Sequence, residues 1–147
     1  MIRVLVADDQ PLMQRALSIF IEGADDMEVV GLAADGSAAV TQSRALRPDV
    51  VLMDMQMPVM DGIEATRRVI EAHPSTKVIA VTTFSTEQYL LPALRAGASG
   101  FILKHVEPDE LLEAVRAVHE GAGAISRQVT QNLIAAVRDA EAPARAR

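Results

Sequence analysis

Residues 49–62 read DVVLMDMQMPVMDG, and this stretch decides the fold. Val50–Met53 are consecutive apolar residues that end on Asp54. A run so short and so continuous fits a strand buried on both faces. A Pro-containing loop follows. Asp61 and Glu64 then form a capping pair at the start of Ile63–Ala72, whose spacing is helical. A fully apolar strand passing through a short loop into an amphipathic helix is part of a parallel strand–helix–strand unit.

The same alternation continues in both directions. Upstream, Ile2–Ala7 (IRVLVA) reads as a strand, and Leu12, Ala16 and Phe20 share one face of a helix over Leu12–Ile21. Glu28–Ala33 is a second strand, Asp35-Gly36 a turn, and Ser37–Leu46 a helix. Downstream, Val78–Val81 is a buried strand. Ser85 and Gln88 fit a capping box for a helix through Ala96, although Pro92 inside it removes a backbone donor and is expected to kink or loosen it. Gly97–Gly100 breaks that helix, and Phe101–Leu103 is a short strand. Pro108 opens a helix whose apolar face is Leu111, Leu112, Val115 and Val118. Five strand–helix units predict an α/β protein, a doubly wound parallel sheet forming one domain over residues 1–121.

Residues 122–147 follow as a C-terminal helix and linker. Val129, Leu133, Ala136 and Val137 make an apolar stripe on a helix over Ile125–Arg138. It either packs back on the domain, the preferred reading, or pairs with a second chain. The segment Ala140–Arg147 (AEAPARAR) is expected to be a disordered linker toward an output domain absent from these residues.

Composition narrows the function. The 147 residues are half hydrophobic but only 3% aromatic, so the core is aliphatic. With no Cys, a disulfide scaffold, a thiolate zinc site and a cysteine nucleophile are excluded. The longest apolar run is Leu133–Val137, far below the ~20 residues of a membrane span. The opening MIRVLVADD lacks the features of a secretory signal, so the simplest location is the cytoplasm. The net charge of −6 combines −8 over residues 1–121 with +2 beyond them. So acidic a body argues against direct nucleic-acid binding. Lys77 and Lys104 are the only lysines.

In an open parallel sheet, ligands bind at the carboxyl ends of the strands. Asp8 and Asp9 follow the first strand, Asp54 ends the third, Thr82 and Thr83 follow the fourth, and Lys104 follows the fifth. Each has a plain reading: Asp8 or Asp9 as a helix cap, Asp54 as a turn former, Thr82 as packing, Lys104 as a solvated charge. Their joint placement on one edge favours a site. Carboxylates brought together repel, and a hard cation relieves that repulsion; Mg²⁺ is the default and also takes phosphate oxygens. A lysine on a long stem suits a phosphoryl oxygen, and an aspartate can be a phosphoryl-accepting nucleophile.

ADD after the first strand, DVVLMDMQMPVMDG at the third, VTTF at the fourth and GASGFILK at the fifth resemble a response regulator receiver domain over about residues 1–121. LRAGASGFILK and ELLEAVRAVHEGAGAIS are similar to its NarL/LuxR-type branch, whose members usually carry a C-terminal helix-turn-helix domain. The resemblance implies a flavodoxin-like (βα)5 fold with strand order 2-1-3-4-5. It implies that Asp54 accepts a phosphoryl group from a sensor histidine kinase. Mg²⁺ would be held by Asp9, Asp54 and the backbone carbonyl of Gln56, with Asp8 direct or through water. Lys104 would pair with the phosphoryl group, Thr82 (rather than Thr83) would hydrogen-bond it, and Phe101 would be the switch aromatic. DNA would be reached only through the output domain, no membrane is involved, and a homodimer on phosphorylation is left open.

The sequence departs from that pattern at His105, where many receivers have a proline after the lysine, often with a cis peptide. A cis bond here would cost about 3 kcal/mol, so its geometry is left open. Phe84 is expected to shield an acyl phosphate from water and slow its loss. His73, His105 and His119 lack metal-ligand spacing, and Met55, Met57 and Met60 are expected to pad the loop after Asp54. Two other functions compete with a DNA-linked switch. One is a single-domain phosphorelay shuttle. The other is a small phosphatase of the haloacid dehalogenase type, whose nucleophile would sit at the first strand in a DxDx pattern that this chain lacks.

Overall fold

In the computed structural model, the backbone is described for residues 1–83 and 86–145, and side chains for these except 86–87 and 140–145. The expectations for Phe84 and for the Ser85–Gln88 box therefore lie outside the described residues. The strands are β1 Ile2–Ala7, β2 Met27–Ala33, β3 Val50–Asp54, β4 Lys77–Thr82, β5 Gly100–Leu103 and β6 Ala124–Ile125. The helices are α1 Pro11–Glu22, α2 Gly36–Leu46, α3 Gly62–Ala72, α4 Thr86–Ala96, α5 Pro108–His119 and α6 Arg127–Arg145.

The strands pair in parallel in the order β2-β1-β3-β4-β5-β6. The expected five-strand order is present, with a sixth strand added beside β5. Alternate residues of each strand face opposite ways, so the apolar runs feed two cores. On one face Val4, Val6, Leu52, Ile79 and Ile102 meet Leu17 and Ile21 of α1 and Leu111 and Val115 of α5. On the other, Leu5, Val51, Met53, Ala80 and Phe101 meet Val40, Val69, Leu90 and Ala93 of α2, α3 and α4.

α3 starts as the Asp61–Glu64 pair predicts: the Asp61 side chain accepts from the Glu64 N–H at 2.9 Å. Gly62 has a further reason. A Cβ there would lie 2.0 Å from the Asp54 carbonyl oxygen, so only glycine lets α3 begin tight against the end of β3. α4 runs through Pro92, which removes one rung of its ladder. Lys104–His105 is trans, as is every described peptide bond.

Two expectations about the C-terminal part are corrected. β6 and the start of α6 belong to the sheet and its core: Ile125 pairs with Phe101, and Val129 is fully buried in the same cluster as Phe101. Gly100 permits this, because a Cβ there would come within 2.8 Å of the Ala124 carbonyl. The stripe packs back through Val129 and Leu133, whereas Ile134 and Val137 are exposed. The segment from Ala140, expected to be irregular, is helix as far as Arg145. Ala, Glu and Arg propagate a helix without needing an apolar face, so a polar composition alone does not mark its end.

Val59, in the loop before α3, has φ +71 and is 83% exposed. A β-branched residue there carries backbone strain that glycine does not. Val59→Gly is expected to raise the unfolding free energy by about 1 kcal/mol, a value within the range for such strain. Urea denaturation checks it, and a loss of stability would refute the strain assignment.

Among the described residues, no helix is long and apolar enough to cross a membrane.

Candidate phosphoryl and cation site

Sheet register assembles the site. Ala7 pairs with Met53, so the next residues, Asp8 and Asp54, lie side by side. Asp54 pairs with Val81, and Thr82 with Leu103, which places Lys104 one step beyond the edge of β5. The Lys104 N–H donates to the Thr82 carbonyl at 2.7 Å, and the Val106 N–H closes a turn onto the Leu103 carbonyl at 3.1 Å.

Lys104 bridges two acids. Its Nζ lies 2.8 Å from Asp8 Oδ2 and 3.1 Å from Asp54 Oδ2, and all three side chains are buried to 5% exposure or less. Asp8, Asp9 and Asp54 each bring a carboxylate oxygen within 4.8 Å of the others, with Asp9 exposed at the mouth. Thr82 is buried at the end of β4, whereas Thr83 is exposed. Phe101 is fully buried. Gln56 is exposed, and its N–H donates to Asp54 Oδ1 at 3.2 Å.

The helix-cap reading of Asp8 and Asp9 does not hold, since α1 is preceded by Gln10 with no side-chain cap. Asp8 Oδ1 instead accepts from the Gln10 N–H at 2.9 Å. Asp8 Oδ2 is ion-paired yet receives no well-directed hydrogen bond. A buried carboxylate oxygen with that spare capacity, beside other oxygen donors, fits a hard cation.

Burial above all, with the Asp8 charge adding to it, pushes the Asp54 carboxyl up to about 6, against the pull of Lys104 and the Gln56 N–H. For Lys104, burial disfavours the ammonium, but its direct contact with Asp8 and the charges of Asp54 and Asp8 outweigh it and hold its pKa above the ordinary lysine value. Asp54 and Lys104 therefore carry opposite charges above about pH 6.

Sequence reasoning missed Tyr89. Its hydroxyl accepts from Gln56 Nε2 at 2.7 Å, joining α4 to the loop after β3. It is the chain's only tyrosine, and that singularity is the one signal the sequence offers.

An open parallel sheet with three carboxylates and one ammonium at its strand ends defines a doubly wound protein that can seat a cation and an anionic group side by side. Residues 4–116 match the response regulator receiver domain family, and the chain belongs to it. The transcriptional regulatory protein YxjL of Bacillus subtilis is 46% identical over 129 residues, which are 88% of this chain and 59% of that protein. Response regulator GacA of Pseudomonas viridiflava is 41% identical over 133 residues, 90% of this chain and 62% of its own. The chain thus spans about three fifths of the length of these relatives. A LuxR-family two-component response regulator from an Aurantimonas species superposes with a TM-score of 0.83 at 33% identity, covering 88% of this chain and 92% of that one. The isolated REC domain of RcsB from Salmonella enterica, solved with the phosphomimetic BeF3-, gives 0.80 at 26% identity, covering 88% of this chain and 96% of that one. The chain is a two-component receiver, a signalling switch related to transcriptional regulators of the NarL/LuxR kind.

Proposed function

We propose that Asp54 accepts a phosphoryl group from a phosphohistidine on a sensor histidine kinase, and that the protein passes the resulting change to an output. The observation that carries this reading is Lys104 Nζ held between Asp8 and Asp54 at 2.8 and 3.1 Å, beside the exposed Asp9. A carboxylate oxygen of Asp54 attacks phosphorus, the phosphorus–nitrogen bond breaks, and the imidazole leaves with its electron pair. Asp8, Asp9, Asp54 and the Gln56 carbonyl would hold Mg²⁺, which when bound offsets the charge gathered on the transferring oxygens. Lys104 exchanges its Asp54 partner for a phosphoryl oxygen, and the Thr82 hydroxyl donates to another. The new group is nearer −2 than −1, so the site has two electrostatic states. Drawing Thr82 inward shifts packing around Phe101 and biases the neighbouring α4 surface.

We assign residues 1–129, through β6 and the first turn of α6, to the receiver body, and the remainder of α6 to a connection toward a DNA-binding output domain. The support is the transcriptional-regulator relatives, which are longer than this chain. The protein acts as a phosphoacceptor and turns over no other substrate.

Acetyl phosphate with Mg²⁺, read by intact mass, is expected to add one phosphoryl group, and Asp54→Ala to remove the adduct entirely. Unchanged labelling of the variant would overturn the assignment. Hydrolysis of a generic phosphomonoester would instead point to a phosphatase. Mg²⁺ is also expected to raise the melting temperature at pH 8, by about 1.4 kcal/mol of added stability at tenfold the dissociation constant. That gain is expected to vanish in Asp9→Asn combined with Asp54→Asn, and its persistence there would place the ion elsewhere.

A further inference from the structure

The structure assigns to Tyr89 the role of a positioning residue for the cation half of the site. The inference rests on the phosphoacceptor reading above and extends it to α4. Gln56 makes two connections at once. Its N–H meets Asp54 Oδ1 at 3.2 Å, and its side-chain amide meets the Tyr89 hydroxyl at 2.7 Å. The first fixes the peptide plane beside the acceptor carboxylate, and the second fixes the side chain that restrains this exposed residue.

Tyr89 is a firm anchor. It sits on α4, is half-buried, and packs against the core cluster that holds Leu90, Ala93 and Phe101. Tyr89, Gln56 and Asp9 share the lining of an open cavity of about 480 Å³. The hydrogen bond therefore closes a loop of contacts from the acceptor, through Gln56, into α4 and the layer beneath it. A loop restrained in this way binds a cation with less ordering cost than a free one. The coupling is reciprocal: a cation that orders the Gln56 peptide also tightens the tether to α4. α4 is thus joined to the acceptor loop by a polar contact separate from the Thr82–Phe101 route.

The test measures Mg²⁺ affinity by calorimetry in the full chain and in Tyr89→Phe, Gln56→Ala and the double variant, with thermal melts to confirm folding. Tyr89→Phe keeps the ring and removes only the hydroxyl. Each single variant is expected to bind Mg²⁺ roughly two- to tenfold more weakly, the range one such hydrogen bond spans. The double variant is expected to be no weaker than the singles, because each cuts the same link. Tyrosine emission gives a second readout, since the chain has one Tyr and no Trp. Mg²⁺ is expected to change that emission in the parent and not in Gln56→Ala. Parent-like Mg²⁺ affinity in a folded Tyr89→Phe, or additive losses in the double variant, would overturn the inference and leave Asp54 labelling as it stands. A parent chain that neither binds Mg²⁺ nor labels on Asp54 would overturn both.

Discussion

Lys104→Met, at pH 8 and without divalent cations, is expected to lose about 3–5 kcal/mol of unfolding free energy, the cost of breaking a buried ion pair by removing one partner. The ammonium stands between carboxylates that are 0% and 4% exposed, and methionine leaves both without a counter-charge. Two dependences identify the cause. The loss should shrink at pH 5, where Asp54 is largely protonated, and should shrink when Mg²⁺ supplies positive charge at the same edge. Urea denaturation across these conditions is the measurement. A loss under about 1 kcal/mol at pH 8, or one indifferent to both pH and Mg²⁺, would mean that the ammonium does not neutralise the cluster.

The second large effect has the opposite sign. Asp54→Asn is expected to be more stable than the parent at pH 8 without divalent cations. The Asp54 carboxyl titrates at about 6 in the folded chain, against 3.8 as its ordinary value. Below the lower value the group is protonated in both folded and unfolded chains, and stability is undiminished. As pH rises from about 4 to about 7, the unfolded chain releases its proton first and stability falls. A shift of this size corresponds to about 3 kcal/mol. The amide has no charge to lose, so the gain should be close to that figure at pH 8 and near zero at pH 4. Paired denaturation curves at the two pH values test this. An equal difference at both would mean that the effect arises from packing rather than ionisation.

The two variants mark the opposed demands on the site. On the proposed reading, the carboxylate that would carry charge to accept a phosphoryl group is the one that folding disfavours in its charged form. Stability lost there is part of what a cation bound by Asp8, Asp9 and Asp54 would restore.

What the sequence makes legible is what local chemistry determines. β1, β3 and β4 are largely apolar runs, and each ends where a polar residue appears. The positions of Asp8, Asp54 and Thr82 at one edge can therefore be read from the residues alone. Asp61 and Glu64 likewise announce the start of α3. The rest depends on contacts remote along the chain. β6 is two residues long, too short for any alternation, and exists because Ala124 and Ser126 donate to the Ser99 and Phe101 carbonyls. The bond between Gln56 and Tyr89 spans 33 residues. No periodicity encodes it, and Gln56 draws attention only for its place after Asp54. The helix beyond Ala140 escapes a sequence reading for a third reason. Composition reports whether a segment can pack, and a helix extending from a packed first turn need not pack along its whole length.

The late arrival of β6 and Val129 has a consequence for biosynthesis. β1 emerges first from the ribosome yet ends between β2 and β3, and the layer over Phe101 is completed only when residue 129 has appeared. Until then β5 is an open edge, with carbonyl and amide groups able to pair with the same strand of another nascent chain. Gly100 leaves that edge accessible at close range, and two residues followed by one buried valine close it. The packing over Phe101 and the protection against edge-to-edge association are thus completed together, by residues 124–129.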